Sequence, residues 1–347
     1  MFKVRHPGCL AGLIGPLAAA ALVLSAQAQA QNQDPPAERG AQSTTVQDLV
    51  SAVVGIRTVI NPDGRSVSNL GREREGSGIV IDESGLVLTI GYLMVEAHAA
   101  EIVTGAGRTL PATVVGYDHE TGFGLLRTLE PPKIKPLTLG RSADLKEQDP
   151  ALVSSFGGTG MLLPVNVVSR REFTGSWEYL IEDAIFTSPP HPAWSGAALV
   201  NREGKLVGVG SLIVGDSKGE NESSPGNMFV PIDLLPPVMG DLLASGRVSG
   251  PGKPWLGVNT QAIDGHLVVS GVTPESPAQK AGLKRGDIIA GVNGARTRTL
   301  AEFYRAMWAT GKAGVTVPLD VMSDGERRRV DVPSVNRLDA LKLKSTF

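Results

Sequence analysis

The residues best suited to covalent chemistry lie in Ala193-Trp194-Ser195-Gly196-Ala197-Ala198-Leu199-Val200-Asn201. A small-residue turn presents one serine, and the apolar run after it reads as a strand entering a core. A serine at a tight turn ahead of a buried strand is where a nucleophile sits. An ordinary turn serine sits there as well, because Ser-Gly is common turn chemistry. Ala193 and Ala197 stand where Gly-x-Ser-x-Gly needs glycines, so the strained hydrolase elbow is not supported. A serine hydroxyl also needs a base. His98, His119 and His191 are the histidines in reach, and His191 lies between Pro190 and Pro192, which hold that segment extended. No cluster of His, Asp and Glu has ligand spacing, so neither a metal nor another cofactor is expected.

Those residues must be carried by many short strands. Apolar runs bounded by turn signals fall at Ala52–Ile60, Gly78–Ile81, Leu86–Ile90, Glu101–Val103, Ala112–Tyr117, Gly124–Thr128 and Ala151–Ser155. More follow at Val165–Ser169, Tyr179–Phe186, Ala197–Val200, Leu206–Leu212 and Met228–Pro231. Such a series implies two barrels or a sandwich. Leu234–Ser245 carries apolar residues at helical spacing, with Pro236 and Pro237 in its first turn. After the linker Ser249–Pro254, strands are expected at Leu256–Thr260, His266–Val272, Ile288–Val292, Val315–Met322 and Arg327–Val332. A capping box at Thr299–Glu302 opens a helix between the third and fourth of these. The fold class is therefore dominated by β-structure.

The 347 residues carry a formal charge of −2, so nothing points to nucleic acid or to an anionic surface. Gly 42 and Pro 24 against 5% aromatics favour strands and turns over a helical bundle. Lys3 and Arg5, the apolar run Cys9–Leu24 and Ala28-Gln29-Ala30 compose a secretory signal peptide with cleavage after Ala30. Cys9 is the one cysteine, so the exported chain has no thiol for a disulfide or a nucleophile. No membrane span is expected after cleavage, and the periplasm is the expected compartment. Residues 31–48 read as a flexible linker.

Taken together, the stretches resemble the HtrA/Deg family, a trypsin-like double β-barrel followed by a PDZ domain. Gly76-Ser77-Gly78-Ile79-Val80-Ile81, Ala112–Tyr117 with Asp118, Pro136–Ser142, Ser195–Asn201 and Met228-Phe229-Val230-Pro231 match its motifs in order. The resemblance implies a barrel domain over 49–248, a PDZ domain over 249–335 and a tail over 336–347. It also implies a catalytic His, Asp and Ser in that chain order. The stretch matching the histidine motif is Thr89-Ile90-Gly91-Tyr92-Leu93, which puts Tyr92 at the histidine position. The stretch matching the aspartate motif is Thr121-Gly122-Phe123-Gly124-Leu125-Leu126, which puts Gly122 at the aspartate position. Ser195 remains, and the oxyanion-hole N–H groups fall on Ala193 and Ser195. Tyrosine titrates near pH ~10 and is a poor base. Losing a triad member costs on the order of 10⁴ to 10⁶ in turnover. His98 falls six residues after Tyr92, on another face if that segment is helical.

The second domain resembles the family's PDZ modules more completely. Trp255-Leu256-Gly257-Val258 matches the loop whose N–H groups take a peptide's terminal carboxylate, and Ser276–Ile289 and Val292-Asn293-Gly294 match further motifs. The implied partners are C-terminal peptides or unfolded protein ends, added as a strand, and an active protease relative. The expectation is an exported pseudoprotease acting as a peptide-binding scaffold or regulator in envelope protein quality control. Two alternatives stand beside it: an active endopeptidase using Ser195 with a displaced base, and a purely structural interaction protein with a closed groove. No Phe, Trp or Tyr occurs between Gln31 and Gly91, so the family's trimer contacts cannot be carried over.

Overall fold

A computed structural model describes residues 44–219 and 222–343. The signal peptide, its cleavage site and most of the expected linker lie outside the described residues. The linker's end is corrected: it is helical. Thr45 and Asp48 form a capping box, with the Asp48 N–H 3.0 Å from Thr45 Oγ1 and the Thr45 N–H 3.2 Å from an Asp48 carboxylate oxygen, and open α1 (Val46–Ala52). Leu49 and Ala52 turn into the core.

The expected choice between barrels and a sandwich resolves into two closed antiparallel barrels. The first holds β1 (Val53–Ile60), β2 (Glu73–Val80), β3 (Leu86–Ile90), β4 (Ala97–Val103), β5 (Thr109–Tyr117) and β6 (Phe123–Thr128), ordered β1-β2-β3-β6-β5-β4. A short α2 (Val67–Leu70) sits between β1 and β2. Every residue of β3 is buried, which its uninterrupted Leu-Val-Leu-Thr-Ile run requires. After β3 the chain makes one 3₁₀ turn, Gly91–Leu93, and enters β4, so His98 lies on an exposed strand position rather than on a helix.

The second barrel holds β7 (Pro150–Ser154), β8 (Leu162–Gly175), β9 (Tyr179–Ser188), β10 (Ala198–Val200), β11 (Leu206–Val214) and β12 (Gly226–Pro231), ordered β10-β11-β12-β9-β8-β7. β8 runs well beyond the expected Val165–Ser169. It pairs with β9 from Asn166↔Ser188 out to Gly175↔Tyr179, so the two make a long hairpin projecting from the barrel. α3 (Pro236–Ser245) begins at its two prolines, ends on Gly246 at φ +75°, and buries Leu242 in a core shared by both barrels.

The third sheet is β13 (Val258–Ile263), β14 (His266–Val272), β15 (Ile288–Val292), β17 (Thr316–Ser323) and β18 (Glu326–Pro333), with β16 (Ala295–Arg296) paired to β15. α4 (Pro277–Lys280) and α5 (Leu300–Trp308) cover it, and α5 opens on the Thr299–Glu302 capping box. The segment expected as a tail does not trail. Asn336 caps α6 (Arg337–Ala340), the Arg337 guanidinium donates to the Trp177 carbonyl and to His119 Nε2, both at 2.7 Å, and the Lys342 N–H reaches a Glu96 carboxylate oxygen at 2.8 Å.

Candidate functional site

Ser195 and Tyr92 come from different barrels and meet in the cleft between them. The turn before β10 delivers the serine. Gly196 follows it at φ +72°, and a Cβ there would fall 1.9 Å from the Ser77 carbonyl, so only glycine fits. The Ser77 N–H donates to the Ser195 carbonyl at 2.8 Å and ties the turn to β2. The single 3₁₀ turn after β3 delivers Tyr92. Ser195 Oγ donates to Tyr92 Oη at 2.8 Å, and Tyr92 Oη donates to the Ser211 carbonyl at 2.8 Å. Burial pushes the Tyr92 phenol up to about 12, against the pull of its bond from Ser195. The phenol keeps its proton, spends it on a carbonyl, and offers the serine only a weak acceptor.

Gly122 occupies a turn at φ +81° and donates no side chain to the cleft. A Cβ there would lie 3.0 Å from Tyr179 Oη and 3.3 Å from Ile90 Cδ1. The nearby Asp118 carboxylate is spent in its own turn, accepting from the Thr121 N–H at 2.9 Å and the Thr121 hydroxyl at 2.7 Å.

The Ala193 N–H donates to His191 Nδ1 at 3.0 Å instead of standing free as an oxyanion donor. The Ser155 hydroxyl donates to the Ala193 carbonyl. His191 Nε2 lies 3.1 Å from the Met161 carbonyl, which assigns the proton to Nε2. His191 is buried, and that burial lowers its pKa, against the raising effect of its two backbone bonds. The ring therefore stays neutral and structural, and the displaced-base alternative loses its nearest histidine. A cavity of about 430 Å³ adjoins Ser195, lined by Glu75, Gly76, Phe156 and Trp194 among others.

In the second candidate site, the N–H groups of Leu256, Gly257 and Val258 converge. Each already donates to a carboxylate, that of Glu178: Leu256 to Oε2 at 3.0 Å, Gly257 and Val258 to Oε1 at 2.6 and 2.9 Å. Trp255 does not share in this cradle, because its N–H donates to the Val335 carbonyl at 3.0 Å. Glu178 is only 3% exposed, at the tip of the β8–β9 hairpin. Burial raises its carboxyl to about 7, against the lowering effect of the three N–H groups and of Arg337. Sequence reasoning missed Glu178. The turn around Gly175-Ser176-Trp177 is visible, but its target lies 78 to 80 residues away.

Residues 76–209 match the trypsin-like peptidase domain family and residues 254–333 the PDZ domain family. A probable periplasmic serine endoprotease DegP-like of Halomonas elongata is 28% identical over 78% of this chain. The periplasmic pH-dependent serine endoprotease DegQ of Escherichia coli is 28% identical over 74% of it. The chain spans 58% of the length of each of these curated relatives. Among solved structures, the HtrA-type protease AlgW with decapeptide superposes at a TM-score of 0.50 and 22% identity. That match covers 87% of this chain and 100% of that one. The fold thus defines a class, a trypsin-like double barrel carrying a PDZ domain. Within that class, the relatives and the solved structure that the chain resembles are periplasmic DegP- and DegQ-like endoproteases and an HtrA-type protease. Among the described residues no helix is long and apolar enough to cross a membrane.

Proposed function

We propose that this protein is an exported HtrA-type pseudoprotease, a scaffold that recognises peptide or unfolded chain ends through its PDZ domain and does not cleave them. The observation that carries this reading is the line Ser195–Tyr92–Ser211. The serine donates into a phenol that is itself a donor, so no group in the line accepts the serine proton during attack. Tyr92 and Gly122 stand at the histidine and aspartate positions, Ser195 is a retained nucleophile position without a base, and the oxyanion site at Ala193 and Ser195 has lost the Ala193 N–H to His191. The relatives named periplasmic and the N-terminal signal pattern support work in the periplasm, in envelope protein quality control, alone or beside an active relative.

The test compares the chain from Gln31 with its Ser195→Ala variant. Each is incubated with an unfolded protein substrate and, separately, with a fluorophosphonate probe. Equal inertness is expected. Cleavage or labelling by the wild type alone would return the protein to the active endopeptidases. The structural alternative, a closed groove, draws on the Glu178 contact and is taken up next.

A further inference from the structure

A PDZ groove lies between a strand edge and a helix, with a carboxylate cradle at one end. Here those parts are the β13 edge, α5 and the Leu256–Val258 N–H groups, and the β8–β9 hairpin touches all of them. Glu178 fills the cradle with three hydrogen bonds. On the strand side, the Thr260 N–H donates to the Ser176 carbonyl at 3.0 Å. On the helix side, Tyr304 Oη donates to the Gly175 carbonyl at 2.7 Å and accepts from the Glu178 N–H at 3.2 Å. Leu180 packs against the domain's core, and Arg305 pairs with Glu172. Glu178 adopts φ +60°, an uncommon conformation for a residue with a side chain, at the point where its carboxylate enters the cradle.

We propose that the β8–β9 hairpin is a built-in occupant of the PDZ groove, its Glu178 carboxylate standing where a peptide's terminal carboxylate would go, so that a partner chain with a free C-terminus binds by expelling it. The proposal rests on the reading of this domain as a peptide receptor. The two occupants are not equivalent. The hairpin satisfies the cradle fully but gives β13 a single backbone bond, at Thr260. An extended peptide end would reproduce the carboxylate bonds and add further backbone bonds along the same edge. The hairpin therefore lowers the apparent affinity of every peptide and removes those that gain little from the edge. Short or poorly extended ends are excluded, and extended ends with a free carboxylate are selected.

The probe is a pool of fluorescein-labelled decapeptides randomised at their last three positions, made with either a free or an amidated C-terminus. Binding is read by anisotropy to the wild type, Glu178→Ala and Tyr304→Phe, the last removing a hairpin anchor while leaving the cradle intact. If the groove is occupied about nine-tenths of the time, the free-carboxylate pool should bind Glu178→Ala about tenfold tighter than wild type. Tyr304→Phe should shift the same way by a smaller factor, and the amidated pool should gain nothing with either variant. Hydrogen exchange at Val258–Ile263 should quicken in both variants without peptide. Unchanged affinity in both variants, with the free-carboxylate pool still bound, overturns the internal occupant and leaves the peptide receptor standing. No binding of either pool to any of the three proteins, with exchange quickened as expected, overturns the receptor reading and the capture step with it.

Discussion

The serine turn and the PDZ loop are both arrays of backbone N–H groups suited to an anion, and in both the chain supplies the acceptor itself. The difference lies in where that acceptor comes from. At the serine turn it is His191, two residues from the Ala193 N–H, neutral, buried and tied through Nε2 to the Met161 carbonyl. At the PDZ loop it is Glu178, a carboxylate brought in from another domain on the end of a hairpin. A local acceptor has almost no other place to go, and losing it means rebuilding the turn. A distant one is held by a few bonds and can leave with both domains intact. Two occupied anion sites in one chain thus differ in reversibility: one is part of the fold, the other is a contact.

The comparison breaks if the serine turn proves soft. Gly196→Ala places a Cβ at φ +72° against the Ser77 carbonyl, and urea unfolding should record a loss of roughly 3 kcal/mol. Next in size, His191→Ala removes a buried ring and leaves the Met161 carbonyl and the Ala193 N–H without their partner. A stability loss of about 2 kcal/mol is expected, with fluorophosphonate labelling still absent because no base has been added. Labelling in that variant would mean that the turn alone restrains Ser195.

Restoring the triad is harder than the residue types imply. Tyr92→His with Gly122→Asp puts a side chain at φ +81° with its Cβ 3.0 Å from Tyr179 Oη. The Gly122→Asp step should cost about 1–2 kcal/mol in thermal unfolding, and the double variant should label only slowly while the Ala193 N–H stays with His191. Fast labelling would show that the cleft still holds a usable oxyanion site.

The smallest effect separates the two acceptors by pH. Docking raises the Glu178 carboxyl from its ordinary 4.5 to about 7, so the docked hairpin binds a proton that the free one releases. Docking is then favoured below the free value and weakens as pH rises through 7. The titratable groups around Glu178 are Arg337 from α6 and Tyr304 from α5, with Asp118, His119, Glu120 and Lys253 lining the same cavity. Burial and the nearby Arg337 and Lys253 hold His119 well below its usual range, so the ring stays neutral throughout. Amide protection at Leu256–Val258, corrected for intrinsic rates, should fall severalfold between pH 5.5 and 8, while protection at Ala193 should not change. Equal falls at both places would erase the distinction.

Much of this was legible in the residues. The Thr299–Glu302 box and the mostly apolar β3 announce themselves because their causes are local. Thr45–Asp48 carries the same kind of signal, but the polar run around it hid the helix. Tyr92 was readable as a residue type at a motif position, while its bonds to Ser195 and Ser211 span 103 and 119 residues and needed the fold. Glu178 was not readable at all. One acidic residue in a turn carries no sign of its target, and only the length of β8, longer than its apolar stretch, places it against the other domain.

The Arg337 guanidinium binds the Trp177 carbonyl of the hairpin tip and His119 of the first barrel, yet it lies four residues past the end of the PDZ match at Pro333. A domain excised along that match would lose both the hairpin and its clasp. Its peptide preferences would be those of an uncontested groove, broader and tighter than the intact protein allows, and a ligand survey made on the fragment would overcount the chain's true partners.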